Sequence, residues 1–153
     1  MELKKTQMLS GNRHHLAATL LRVALGVLFL AHAYAKFSLF TLPGTVRFFE
    51  ANGFPGWTAY PVFAAELVGG LALVVGFKTR IAALGLIPIM VGALKTHLAN
   101  GWMFTSAGGG WEFVAFLIAA LAAQALLGSG AYALDGATSR AAPAPATRDG
   151  ALV

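Results

Sequence analysis

The sequence predicts an all-α protein, a bundle of four transmembrane helices whose N and C termini both lie in the cytoplasm. Of its 153 residues, 58% are hydrophobic and only 11% are charged, whereas soluble domains carry about 25% charged residues. Four apolar runs are long enough to cross a bilayer, and most basic residues lie on one side of them. We therefore expect a multi-pass membrane protein that is surrounded by lipid.

The four apolar runs define a membrane domain, residues 16–136, which lies between two polar tails. Each run is close to the roughly 20 residues that cross a hydrocarbon layer of about 30 Å as a helix. Helices satisfy their own backbone groups in lipid, and the alternating pattern of a membrane β-barrel is missing from the sequence. The predicted spans are residues 16–37, 60–77, 81–98 and 111–127, with a cytoplasmic tail at 1–15 and a disordered tail at 137–153.

Lysine and arginine in three separate segments set the predicted orientation, because these residues concentrate on the cytoplasmic side. The N-terminal tail, the turn at 78–80 and the C-terminal tail are all basic, and an even number of spans places them on one side. The short turn also makes the second and third spans antiparallel neighbours.

Two further local features are predicted. In the outer loop, TVRFFEANG predicts a short interfacial helix. In the second span, Gly69 with Gly70 predicts a close helix contact.

Most ionisable residues of the predicted spans fall in the outer half of the bundle. A charged group in hydrocarbon costs about 2.5–3.5 kcal/mol on insertion scales, so such residues mark functional sites by default. In the inner half of the bundle, the predicted spans contain the charged Arg22 and the polar Gln124. We expect the outer side chains to gather in one pocket, where Lys and Glu neutralise one another. The outer residues are His32, Lys36, Glu66, Lys95, His97 and Glu112.

Several of these residues also have a purely structural explanation. His32, Lys36 and His97 suit anchors at helix ends, and Lys95 points about 160° away from His97, so it snorkels or serves another interface. Glu112 follows three glycines and suits the first turn of its helix.

A pocket of this kind suits a quinone, which needs an apolar slot open to lipid and polar groups near its carbonyl oxygens. His32, Glu66 and His97 are the candidate catalytic residues, since they can donate hydrogen bonds and exchange protons. A haem or metal site built from the same His and Glu side chains is one alternative, and a non-catalytic scaffold that docks a redox partner is another. The candidate cofactor-binding residues are Lys36, Arg22, Glu112 and Lys95.

The sequence also limits the partners of the protein. Cysteine is absent, so a redox role needs a bound cofactor, a quinone or a soluble or membrane partner protein. The basic residues are scattered and form no stripe for nucleic acid, which we therefore exclude as a partner. The glycine-containing helix faces favour a homo-oligomer.

Several segments in a fixed order form a composite pattern: RVALGVLFLAHAYAKF at 22–37, FFEANGFPG at 48–56, AAELVGGLALVVGFKTRIAA at 64–83, Met90, HLANGWMF at 97–104, GGGWEF at 108–113 and GSGAYALD at 128–135. In these segments the chain resembles the DoxX family of small four-helix bacterial membrane proteins, and the resemblance covers about residues 16–136. It implies a location in the bacterial inner membrane and a role as a membrane subunit of oxidoreductase systems, including quinone-linked thiosulfate oxidation and complexes for oxidative-stress defence.

Overall fold

The computed structural model describes residues 2–135, with side chains from residue 13 onwards. Within these residues the chain forms five α-helices and no strand, which confirms the all-α prediction for this part. The predicted disorder of 137–153 lies outside the described residues. The helices are α1 (Glu2–Tyr34), α2 (Leu42–Ala51), α3 (Ala59–Val75), α4 (Thr79–His97) and α5 (Glu112–Leu127).

Each of the four predicted spans coincides with a helix. Three helical segments are long and apolar enough to cross a membrane: Arg13–Leu39 with 27 residues, Gly56–Val75 with 20 and Thr79–Asn100 with 22. Helix α5 is equally apolar in character but shorter, with 16 residues. Helix α1 begins at Glu2, so the predicted N-terminal tail is described as part of the same helix.

Helices α1 and α3 pack at the distance that glycine permits. A Cβ atom at Gly26 would lie 2.8 Å from the Gly70 carbonyl oxygen, and one at Gly70 would lie 3.1 Å from the Gly26 carbonyl oxygen. On the next face, Gly69 contacts the side chain of Leu86 in α4. The close helix contact predicted at Gly69 and Gly70 is thereby confirmed, because a Cβ atom at either position would lie only 3.0–3.1 Å from atoms of the neighbouring helix.

A central apolar core joins the helices. Phe29, Leu73, Leu86 and Leu121 are buried within it, one from each of the four long helices. The connection between α3 and α4 is a tight turn in which Gly76 has a φ of 73°, a left-handed value that favours glycine. The prediction that these two helices are antiparallel neighbours is confirmed.

We call the end of the bundle that carries this turn the turn end, and there the segment 128–135 folds back across the helices. The Asp135 carboxylate accepts hydrogen bonds from the backbone N–H groups of Lys78 (2.7 Å) and Thr79 (3.1 Å), which satisfies donors at the start of α4. Thr19 donates its hydroxyl to the Ala131 carbonyl at 2.8 Å. The segment GSGAYALD therefore ties α1 to the α3–α4 turn.

The opposite end, which we call the loop end, carries α2 and the segment 98–111. Helix α2 begins after Thr41, whose side chain accepts a hydrogen bond from the Gly44 N–H at 3.3 Å. It ends near Gly53, whose φ is 76°. The short helix predicted at TVRFFEANG is thus confirmed, and it lies next to the start of α3.

Candidate functional site

Lys36 and Glu66 form a salt bridge near the loop end, between the extension of α1 and helix α3. The Lys36 Nζ atom lies 2.8 Å from Oε1 and 2.7 Å from Oε2 of Glu66, so both carboxylate oxygens are engaged. The Glu66 side chain is 2% exposed and that of Lys36 is 16% exposed. Removing two charges from water has a desolvation cost. The attraction between them offsets this cost only because the contact is short and involves both carboxylate oxygens.

A turn of π-helix places Lys36 for this contact. Residues Ala35–Leu39 continue α1 with wider turns, and the Phe40 N–H donates to the Ala35 carbonyl at 2.9 Å. The buried Thr45 donates its hydroxyl to the Thr41 carbonyl at 3.0 Å and reaches the Lys36 carbonyl at 3.5 Å. Helix α2 is thereby connected to the residue that carries the charge. Single π-turns of this kind are frequent at functional sites.

Two aromatic rings lie beside the salt bridge. Phe37 and Phe63 stack with their ring centroids 6.1 Å apart and an angle of 23° between their planes. Phe37 follows Lys36 directly, and Phe63 lies three residues before Glu66 on α3. Neither ring was among the predicted site residues, although each lies one or three residues from a charged residue in the sequence. We refer to Lys36, Glu66, Phe37 and Phe63 together as the ion-pair site.

His32 lies one helical turn before Lys36 on α1. Its side chain is exposed on the surface of the bundle rather than enclosed in it. Within residues 13–135 the structure records no hydrogen bond from the imidazole to another side chain or to the backbone.

His97 and Glu112 organise the backbone of the segment 98–111. The His97 Nδ1 atom is 2.9 Å from the Gly109 carbonyl oxygen, which also accepts from the Asn100 side chain at 2.9 Å. Glu112 accepts a hydrogen bond from the Phe104 N–H at 2.9 Å, so its carboxylate serves the loop and not the first turn of its own helix.

Lys95 and Arg22 also have defined surroundings. The Lys95 ammonium lies 4.9 Å from the ring centroid of Phe54, a cation–π contact that joins α4 to the segment after α2. Arg22 is 1% exposed at the turn end. Its guanidinium donates to the carbonyl oxygens of Leu73 at 2.8 Å and Val74 at 2.7 Å, so it caps the last turn of α3.

The structure therefore brings together two of the seven candidate residues, Lys36 and Glu66, in direct contact. His97 and Glu112 contact loop backbone, and within residues 13–135 no hydrogen bond or ion pair connects them to the ion-pair site. The same residues contain no group of three His, Asp or Glu side chains that could hold a metal ion. A common catalytic role for His32, Glu66 and His97 stays a prediction.

The sequence is similar to a known protein family over more than half of its length. The DoxX family model matches residues 17–101. The chain belongs to the DoxX family. The matched region contains His32, Lys36, Glu66 and His97, and it ends before Glu112 and α5. The DoxX chain is accordingly a membrane protein in contact with the lipid bilayer, in agreement with its long apolar helices.

This DoxX protein is also similar to two named bacterial proteins. It is 35% identical over 116 residues to the protein named "Putative oxidoreductase CatD" of Bacillus subtilis, a match that covers 76% of this chain and 82% of the relative. It is 36% identical over 63 residues to "Inner membrane protein YqjF" of Escherichia coli, covering 41% of this chain and 47% of that protein. No solved structure matches the chain.

Proposed function

We propose that this DoxX protein is the membrane subunit of a redox system and binds quinone at the ion-pair site. The observation that carries the proposal is the buried salt bridge between Lys36 and Glu66, held by a π-turn and flanked by two stacked aromatic rings. Single π-turns are frequent at functional sites, and the stacked rings offer an apolar face that the salt bridge itself does not require. The relative named an oxidoreductase supports a redox role for the family region.

The proposal includes a membrane topology. All four long helices cross the bacterial inner membrane, with the turn end in the cytoplasm and the loop end facing the periplasm. The basic turn at 78–80 and the basic N-terminal segment support this orientation. Helix α5, at 1.5 Å per residue, is about 24 Å long, and a bilayer adapts to a short span by thinning. A relative named as an inner-membrane protein supports the location.

The residues of the ion-pair site fit a quinone head group. The rings of Phe37 and Phe63 offer an apolar face near the bundle surface, and Phe37 is itself exposed. Lys36 is the donor: two of its N–H bonds go to Glu66, and the partly exposed ammonium leaves a third N–H for a ligand. The exposed His32 can donate or accept one helical turn away.

Each residue has a distinct role in this proposal. A bound quinone supplies the capacity to accept two electrons and two protons. Lys36 orients the head group by a hydrogen bond and holds Glu66 in place. Glu66 and His32 take up or release protons, Glu66 from the buried side and His32 from the surface. Cysteine is absent from the chain, so the electrons come from a partner redox protein or from a bound cofactor and not from a thiol pair of this chain.

The test is the quinone content of the purified full-length protein, extracted with solvent and measured by mass spectrometry. We expect quinone in the wild-type protein, an about ten-fold loss in Glu66→Gln, and no loss in the matched control Glu112→Gln; ten-fold corresponds to about 1.4 kcal/mol of binding free energy. Glu66→Gln leaves the Lys36 charge without its partner, which also affects folding. Phe63→Leu is therefore the second variant, because it keeps the salt bridge and removes one ring of the site.

Thermal unfolding shows first whether Phe63→Leu remains folded. For a folded Phe63→Leu variant, we expect quinone loss in both Glu66→Gln and Phe63→Leu. Full quinone content in both variants would overturn it. Loss in Glu112→Gln to the same extent would also overturn it, since that carboxylate lies outside the ion-pair site.

A further inference from the structure

The loop end carries a second feature, an open groove along the start of α5. It has a volume of about 570 Å³, within the range of about 300–1,000 Å³ for small-molecule sites. Its surface is almost entirely apolar, with one ionisable side chain, Glu112, among its lining residues. We call it the α5 groove, and its aromatic lining consists of Trp102, Phe104, Phe113 and Phe116.

The carboxylate of Glu112 is incompletely neutralised. Its Oε1 atom accepts a hydrogen bond from the Phe104 N–H at 2.9 Å, and this donor is neutral. Within residues 13–135 the structure records no ion pair between Glu112 and a cationic side chain. A negative charge beside apolar surface therefore favours a positively charged ligand group.

One ring of the groove, that of Trp102, is held in place by its neighbours. Trp102 packs edge-to-face against Trp111 with ring centroids 4.4 Å apart. The Glu112 N–H donates to the Trp102 carbonyl at 3.1 Å, and the Trp111 N–H donates to the Gly101 carbonyl at 3.1 Å. All four lining rings are nonetheless exposed. Their faces are thus accessible to a ligand without movement of the backbone.

Aromatic faces around a carboxylate are the combination that binds an ammonium group. We propose that the α5 groove binds the ammonium head group of phosphatidylethanolamine, with an acyl chain along Phe116 towards the bilayer. Charge complementarity selects this lipid: an anionic phosphatidylglycerol brings only negative charge to Glu112, and a neutral quinone leaves the charge uncompensated. The primary ammonium also donates hydrogen bonds to the carboxylate. This inference does not depend on quinone binding at the ion-pair site.

The test uses native mass spectrometry of the full-length protein in detergent, titrated with dioleoyl phosphatidylethanolamine or with dioleoyl phosphatidylglycerol. The two lipids have the same chains, so a difference in retention reports the head group. We expect an about five-fold preference for phosphatidylethanolamine in the wild-type protein, the factor that about 1 kcal/mol represents. Glu112→Gln should abolish the preference. The matched control Glu50→Gln, an exposed carboxylate of α2, should retain it.

A second variant keeps the test valid if Glu112→Gln unfolds the loop. Phe116→Leu changes an exposed ring of the groove and leaves the contact of Glu112 with Phe104 intact, and it should reduce the preference at least two-fold (about 0.4 kcal/mol). Equal retention of the two lipids by the wild-type protein would overturn the inference. An unchanged preference in both groove variants, or displacement of the lipid by a short-chain quinone, would do so as well.

Discussion

Gly26 of α1 and Gly70 of α3 lie against each other, each close to the backbone oxygen of its partner, so that Gly26 has no room for a side chain and Gly70 has little. Glu66 is one helical turn before Gly70 on α3, on the same face. The close approach of the two backbones therefore brings α3 near enough for Glu66 to receive the side chain of Lys36 from the end of α1. Helix packing and the ion-pair site are consequences of the same contact.

Replacement of Gly26 by alanine should weaken this contact. The added Cβ would lie 2.8 Å from the Gly70 carbonyl oxygen and 2.9 Å from the Val74 nitrogen, both backbone atoms that cannot rotate away. We expect the free energy of unfolding to fall by about 1–3 kcal/mol, measured by denaturant unfolding in detergent with circular dichroism. Gly85→Ala is the matched control, because a Cβ there meets nothing within 4 Å. Equal effects of the two substitutions would contradict this explanation.

The salt bridge predicts a particular order of stabilities. Glu66→Gln leaves the Lys36 charge in a mostly buried place without a partner, and loss of one member of a buried pair costs about 3–5 kcal/mol. The double variant Lys36→Met with Glu66→Met removes both charges and fills similar volume, so it should recover most of that loss. The measurement is the unfolding temperature of the three proteins. A double variant that is less stable than Glu66→Gln would show that the pair itself stabilises the fold.

Arg22 should be important for the fold at the turn end. Its guanidinium is buried and binds two carbonyl oxygens at the end of α3, and hydrogen bonds to charged groups are worth about 1.5–3 kcal/mol each. Arg22→Met should therefore reduce the free energy of unfolding by about 3 kcal/mol or more. Arg47→Met, a change at an exposed arginine, should have little effect. A small change in Arg22→Met would show that the carbonyl oxygens find other donors.

His97 should control the order of the segment 98–111. The contact of its Nδ1 with the Gly109 carbonyl closes this segment, and loss of one hydrogen bond is worth about 1 kcal/mol. Limited digestion with chymotrypsin should then cleave His97→Phe about five-fold faster in this segment, because cleavage follows the population of the open loop. His32→Phe is the control, and it should leave the rate unchanged. Equal acceleration in both variants would exclude a specific role of His97 in the loop.

The apolar runs and turn residues were sufficient to predict most of the fold. The period and length of these runs predicted the four long helices, and Gly69 with Gly70 predicted where helices approach. The short α2 followed from an amphipathic pattern that ends at Gly53. These features depend on local sequence, in which hydrophobic spacing and glycine act directly.

The candidate site was predicted less completely, because its arrangement depends on tertiary contacts. The sequence indicated that Lys and Glu side chains neutralise each other, but several pairings had similar depth and only the fold selects Lys36 with Glu66. Neither the π-turn at Ala35–Leu39 nor its contact with Thr45 has a sequence signature. Arg22 was expected to line a cofactor site, whereas its position against the end of α3 depends on where that helix ends.

The most direct test of the central claim is the affinity of the folded double variant Lys36→Met with Glu66→Met for a short-chain quinone, measured by equilibrium binding in lipid nanodiscs. We expect this protein to unfold near the wild-type temperature and to bind the quinone at least ten-fold more weakly, a difference of about 1.4 kcal/mol. Wild-type affinity in the folded double variant would contradict the claim that the Lys36–Glu66 pair recognises the quinone.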